Sequence, residues 1–280
     1  MVVESQSAAG DSFEVEYRIN DRNNGHPVRS VSVEASHDEL ADFQKSGYLV
    51  RRGLIPPEWI SEFGAAINRI VAEEINHPSA ERLPNNGLYI RSLLDKDEVF
   101  HRLIRYQPTL SVARYLLGPQ VAFGLEARVA FEGVANAGVN WHIHLRVVPD
   151  PMPPYFVYPH QVHGLIYLDR VGAEEGALCV LPGSHQETTL TLPNDASDQL
   201  RQQKLYFEPG DCILMHGNLW HRTEPTAETC GRRRLILFGY SPSWLKTEVT
   251  RGVPVSTTLT DALRASDDPE LVELLDGFHW

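Results

Sequence analysis

Trp141-His142-Ile143-His144 and Gly210-Asp211-Cys212-Ile213-Leu214-Met215-His216-Gly217-Asn218-Leu219-Trp220-His221 are the stretches on which the fold of this chain turns. Residues two apart on an extended strand project from one face, so His142 and His144 can converge on a single metal ion. His221 comes about eighty residues later, behind an apolar run that reads as a second strand. Three nitrogen donors from two strands can cap one face of a metal and leave the other face open. The usual third donor of such a facial triad is a carboxylate, and here a histidine stands in its place.

Outward from these two segments the chain is punctuated by Gly and Pro. Val121 to Phe131, Leu165 to Leu168, Ala177 to Leu181, Lys204 to Phe207, Cys212 to Met215 and Leu235 to Tyr240 are short apolar runs. Several such strands in succession indicate a sandwich or barrel. Upstream, Ser36 with Glu39 forms a capping-box pattern and predicts a helix from His37 to about Gly47. Pro56-Pro57-Glu58 opens a second helix, with Ile60, Phe63, Ile67, Ile70 and Val71 at helical spacing. A third is expected from Thr109 to Leu117, before Gly118-Pro119. Phe13, Val15, Tyr17 and Ile19 alternate with polar residues, as do Val31 and Val33, and Asn23-Asn24-Gly25-His26-Pro27 between them reads as a turn, which predicts a hairpin laid against the barrel. Asp261 to Trp280 reads as one acidic helix with a short aromatic tail. One domain accommodates this order: an extension over 1–35, a mainly helical bracing segment over 36–119, a β core over 120–245 and a C-terminal helix and tail over 246–280.

Composition narrows the functional classes. The 280 residues are 42% hydrophobic and 22% charged, ordinary for a soluble globular chain. A formal net charge of −12 argues against a nucleic-acid surface. No apolar run approaches the roughly 20 residues of a membrane span, and Met1-Val2-Val3-Glu4-Ser5 lacks a secretory signal, so cytoplasmic residence is the expectation. Cys179, Cys212 and Cys230 show no metal or redox spacing; the first two lie in apolar strands and read as buried free thiols. Seven of the twelve histidines fall between positions 142 and 221, and this clustering sets them apart from His26, His37, His77, His101 and His279, which read as ordinary core or surface residues.

Four segments in a fixed order carry a family resemblance. Ser36 to Val50, continuing into Arg52-Gly53-Leu54-Ile55-Pro56-Pro57-Glu58, resembles the opening of a phytanoyl-CoA dioxygenase-like protein. Gly176-Ala177-Leu178-Cys179-Val180-Leu181-Pro182-Gly183-Ser184-His185 resembles that family's mid-chain signature. Gly210 to His221 resembles its distal histidine segment, and Arg232-Arg233-Arg234 with the strand ending at Tyr240 resembles its cosubstrate anchor. The resemblance implies a jelly-roll barrel, a double-stranded β-helix with flanking helices, and iron(II)- and 2-oxoglutarate-dependent oxygenase activity on a small molecule with O2, releasing succinate and CO2. It assigns iron to His142 and His221 and the cosubstrate's distal carboxylate to Arg233, whose planar fork donates two parallel hydrogen bonds. Strand alternation sends Arg232 and Arg234 to the other face. Thr223, two residues past His221, and Gln161 or His163 before the next strand are further candidates for the cosubstrate pocket.

At His144 the family pattern is His-x-Asp, and three readings stay open. His144 ligates, giving a three-histidine centre; or it stays off the metal and leaves a position for water or chloride; or a carboxylate such as Asp150 or Glu126 completes the shell. Outside the metal ligands no catalytic residue is singled out. Two other functions compete: a three-histidine oxygenase or isomerase that does not use 2-oxoglutarate, and a non-catalytic binding protein on the same barrel. A monomer or homodimer is expected, and neither nucleic acid nor membrane as partner.

Overall fold

The computed structural model describes residues 12–83, 87–144, 160–187, 189–245, 252–255 and 258–276. In chain order the strands and helices are β1 (Phe13–Arg18), β2 (Val28–Val33), α1 (His37–Ser46), β3 (Tyr48–Arg51), α2 (Pro57–Glu74), β4 (Glu81–Leu83), β5 (Gly87–Ile90), α3 (Gln107–Leu117), β6 (Val121–Ala130) and β7 (Val139–His142). Then come β8 (Val162–Tyr167), β9 (Leu178–Val180), β10 (Gln203–Leu205), β11 (Cys212–His216), β12 (His221–Thr223), β13 (Arg233–Pro242), α4 (Asp261–Arg264) and α5 (Pro269–Asp276). β1 and β2 form their own antiparallel hairpin. The rest build two antiparallel sheets, a large one ordered β3-β11-β8-β13-β6-β5-β4 and a small one ordered β10-β9-β12-β7. This is the jelly-roll that the family resemblance implied, where the run of short strands alone indicated a sandwich or barrel.

Period-two alternation assigns each face of the large sheet a task. On one side Leu125, Ala127, Val129, Ile166, Ile236, Phe238 and Tyr240 join Phe43, Phe63, Ile67, Leu110 and Val112 of the helices in the main core. On the other, Leu165, Tyr167, Ile213, Met215 and Leu235 meet Leu178, Val180 and Leu205 of the small sheet. That second face changes character towards its far edge. Over β6, β5 and the residue after β5 it carries Glu126, Arg128, Tyr89 and Arg91, placed by the pairs Leu237↔Glu126, Leu235↔Arg128 and Arg128↔Tyr89.

Local signals account for most of the helices. The Ser36 hydroxyl accepts from Glu39 N, the Glu39 carboxylate accepts from Ser36 N, and α1 ends at Gly47 with φ 86°, a left-handed cap. α3 begins at Gln107, two residues before the expected start, because Pro108 fits the first turn, where its missing N–H costs nothing. The C-terminal stretch forms two helices where one was expected; Pro269 opens the second, and 277–280 lie outside the described residues. The segment 36–119 is less purely helical than expected, since β3, β4 and β5 come from it. These strands are three or four residues long, too short for an alternation pattern; β3 and β5 pair with the distant β11 and β6, and β4 pairs with the adjacent β5. The hairpin rests on α3 and α5, through Tyr17 to the Tyr115 carbonyl and Arg29 to Glu273. All three cysteines are free; burial pushes the Cys179 and Cys212 thiols up to about 11 and about 12.

Candidate metal centre

β12 lies between β9 and β7 in the small sheet, and its register puts His221 directly opposite His142. Directly opposed residues of an antiparallel pair share one face, so both rings project to the same side. The residues beside them, Trp141 and Arg222, go to the opposite side. There Trp141 packs with Cys179 and Leu181 and donates to the Ser197 carbonyl, while Arg222 is paired with Asp198. His144 lies beyond the end of β7, so strand alternation alone does not place it. Its backbone N–H donates to the Gly217 carbonyl at 2.7 Å, which draws the chain back against the loop leading into β12.

The three imidazoles converge. One ring nitrogen from each lies within 4.8 Å of the others, and His144 Nε2 is 3.1 Å from His221 Nε2. His142 Nδ1 contacts the Asn140 carbonyl and His221 Nδ1 the Leu219 carbonyl, each at 2.8 Å. A carbonyl oxygen can only accept, so both Nδ1 atoms carry the proton and both Nε2 atoms keep a lone pair. Burial keeps both rings neutral below the usual histidine range. For His142 the Arg128 charge adds to this, and for His221 the two neighbouring histidines do. Neutral nitrogen donors aimed at one point suit a divalent first-row metal.

Of the two carboxylates considered as alternatives to His144, Asp150 lies outside the described residues. Glu126 is engaged elsewhere: it accepts from Tyr89 Oη and, at 2.7 Å, from Arg91 Nη1. The His163 ring lies against that of His144, tilted by 34° with ring centroids 4.0 Å apart. Gln161 lies alongside, close enough to β13 that a Cβ on Gly239 would come within 2.9 Å of its Nε2. Thr223, on the same side of β12 as His221, follows a shift in register between the two.

Arg233 is 5% exposed at the start of β13, and its Nη1 donates to the carbonyls of Glu175 and Gly176 at 2.8 and 2.6 Å. Gly176 has φ 79°, and a Cβ there would meet Arg233 Nη1 at 2.3 Å, so only glycine lets the guanidinium lie across this turn. Arg234 faces the helices and pairs with Asp169, as alternation requires, while Arg232 precedes the strand and is exposed. Sequence reasoning missed Arg128. Half-buried on the face that carries Arg233, its guanidinium is pushed down to about 10, by burial first and by Arg233 second, and so stays charged at neutral pH. Its only sequence signal was a charge at an inward position of β6.

The mid-chain Pro182-Gly183-Ser184-His185 acts as a clamp. Gly183 N donates to the Ser46 carbonyl, Ser184 Oγ accepts from Trp220 N, and His185 Nε2 contacts the Gln44 carbonyl. It ties α1 to the approach of β12 and so steadies His221 from outside the site. The His216 ring packs at a tilt against His185, centroids 4.8 Å apart, and is not part of the triad.

A model of the family described as phytanoyl-CoA dioxygenase matches residues 43–234, and the chain belongs to that family. Among characterised relatives, an ectoine dioxygenase of Nocardia farcinica is 24% identical over 179 residues, covering 62% of this chain and 59% of that protein. The multifunctional dioxygenase prhA of Penicillium brasilianum is 24% identical over 75% of this chain and 73% of its own length. The fold matches HygX from Streptomyces hygroscopicus, crystallised with nickel, 2-oxoglutarate and hygromycin B, at TM-score 0.61 and 19% identity over 76% of this chain and 89% of HygX. It also matches SnoN, an alpha-ketoglutarate-dependent epimerase of nogalamycin biosynthesis, at TM-score 0.57 and 18% identity over 78% of this chain and 92% of that one. No described helix is long and apolar enough to cross a membrane.

Proposed function

We propose that this member of the phytanoyl-CoA dioxygenase family is an iron(II)- and 2-oxoglutarate-dependent oxygenase that hydroxylates a small molecule. His142, His144 and His221 hold the metal, and Arg233 anchors the cosubstrate's distal carboxylate. The observation that carries this reading is the convergence of three ring nitrogens, two of them with the proton locked on the far side of the ring by a backbone carbonyl. Bound iron with 2-oxoglutarate and O2 supplies the oxidising power for the substrate, with the cosubstrate converted to succinate and CO2.

The chain's own residues do the binding and the orienting. With histidine in place of the usual carboxylate, the centre is more positive by about one charge, which favours anionic ligands. Arg128 and Arg233 add two more positive charges on the facing sheet, and the Arg233 charge, after burial, lowers Arg128. A dianionic cosubstrate relieves that repulsion, and its charge is best placed between them. Leu165, Tyr167 and Leu235 line the adjoining interior and keep water from it. In this reading Gln161 and Thr223 each offer one polar group to the cosubstrate.

HygX was crystallised with hygromycin B and SnoN is an epimerase, which supports taking a small organic molecule as the substrate here. The test is anaerobic titration of iron(II) and 2-oxoglutarate, followed by aerobic assay of succinate. Stoichiometric iron binding and 2-oxoglutarate-dependent succinate support the reading. Substrate turnover without succinate would replace it with the three-histidine oxygenase, and no iron binding would replace it with a binding protein.

A further inference from the structure

Glu126 and Arg128 stand two residues apart on the metal-facing side of β6, a spacing at which opposite charges on one strand face can reach each other. They do not pair. Glu126 is taken by Tyr89 Oη and Arg91 Nη1. Arg91 is itself fixed: it makes a two-pronged pair with Glu81 at 2.9 and 2.9 Å, and its guanidinium lies 4.1 Å over the Tyr89 ring. Arg128, facing Tyr89 in register, makes no hydrogen bond or ion pair among the described residues. A half-buried guanidinium left without a counter-ion is costly, and folds seldom tolerate one unless something else supplies the charge.

Simple cross-strand stapling does not account for this arrangement. A staple of β4, β5 and β6 needs only the Arg91 pairs, and it would be strengthened by letting Glu126 also serve Arg128. Here Glu126, the carboxylate two residues from Arg128 on the same strand face, is held by a tyrosine and a second arginine, which is itself held by another glutamate.

Building on the proposed function, we propose that Tyr89, Arg91 and Glu81 are positioning residues that hold Glu126 away from Arg128, so that Arg128 stays free for a carboxylate of 2-oxoglutarate. The pocket's own anion is thus prevented from competing with the cosubstrate. Without Arg91, Glu126 gains the freedom to swing onto Arg128 and occupy the position of the incoming ligand.

Calorimetric titration of 2-oxoglutarate into nickel-loaded protein tests this without turnover. Arg91→Leu should weaken binding about tenfold or more, the scale of one lost charge-assisted hydrogen bond. Arg91→Leu combined with Glu126→Gln should return the dissociation constant to within about twofold of the parent, because the competing charge is gone although the staple is still broken. Equal weakening in the single and double variants, or no weakening in Arg91→Leu, would overturn the proposal and leave the network a staple. Arg128→Gln serves as the control on the underlying reading. It should weaken binding whatever stands at 126, and an unchanged constant would overturn the role of Arg128 itself. A parent protein that binds nickel but not 2-oxoglutarate would remove the cosubstrate reading, a failure distinct from a failed rescue.

Discussion

On the helix-facing side of the large sheet, Arg234 places its guanidinium on Asp169 at 2.7 and 2.9 Å and also reaches the Gly64 carbonyl. One residue earlier on the same strand, Arg233 donates among the described residues to two neutral carbonyls and to no carboxylate. The contrast recurs around the molecule. Arg51 on β3, turned towards the helices, is paired with Glu39; Arg222, on the outer face of the small sheet, with Asp198 and Glu224. Arg128, turned towards the histidines, is paired with nothing described. Arginines on the packing faces are charge-compensated and hold elements together. On the metal-facing side Arg91 is also paired, with Glu81 and Glu126. Arg128 and Arg233, however, have no carboxylate partner among the described residues, and their net charge spends stability to favour an anionic ligand.

The strongest attempt to break this contrast is at the triad. His142→Ala or His221→Ala should abolish iron binding and turnover while the melting temperature stays close to that of the metal-free parent. Near-normal turnover in either would reject the centre. Next come the neighbouring arginines. Arg233→Ala should weaken 2-oxoglutarate binding about a hundredfold, since one partner of a charge-assisted pair is lost in a partly desolvated pocket. Arg234→Ala should leave that constant alone and cost about 2–4 kcal/mol of stability by stranding Asp169. Chemical denaturation beside ligand titration reads both at once, and the reverse pattern would place the anchor on the wrong face. His144 gives a smaller effect: His144→Ala should weaken iron binding, whereas His144→Asp should retain it. Equal dissociation constants across parent and both variants would remove His144 from the ligand set.

The smallest effect is on pH. Burial holds His142 and His221 below the ordinary 6.5. From 6.5 down to that lower folded value, the unfolded chain takes up protons that the folded chain refuses. Stability is therefore complete above 6.5 and falls as the pH drops through it. The metal-free parent should show this fall in a series of melts, and His142→Ala should flatten part of it. An identical profile in the variant would mean that the ring is not buried neutral.

Much of the candidate site is legible in the amino-acid sequence. His142 and His221 stand out by spacing and by the strands around them, and the orientations of Arg233 and Arg234 follow from period two. Strand spacing makes His144 a neighbour of the other two, which is correct but for an incomplete reason, since its placement rests on a backbone hydrogen bond to Gly217 outside the strand. β3, β4 and β5 escape sequence reasoning because each is three or four residues long. Arg128 and its surroundings escape it because Tyr89 and Glu126 are 37 residues apart and meet only once β5 pairs with β6.

The amino-acid sequence by itself determined α1, α2 and α3, the capping box of α1, the alternating strands and the candidate donors, because each depends on neighbours a few positions away. Only the tertiary structure decided which charges find partners. That depends on register across β13, β6 and β5, and register is set by burying the opposite face of those strands in the helical core. Leu125, Ala127 and Val129 anchor β6 in that core. In doing so they turn Glu126 towards Arg91 and Tyr89 and leave Arg128 facing the site, an outcome no local pattern around residue 128 encodes.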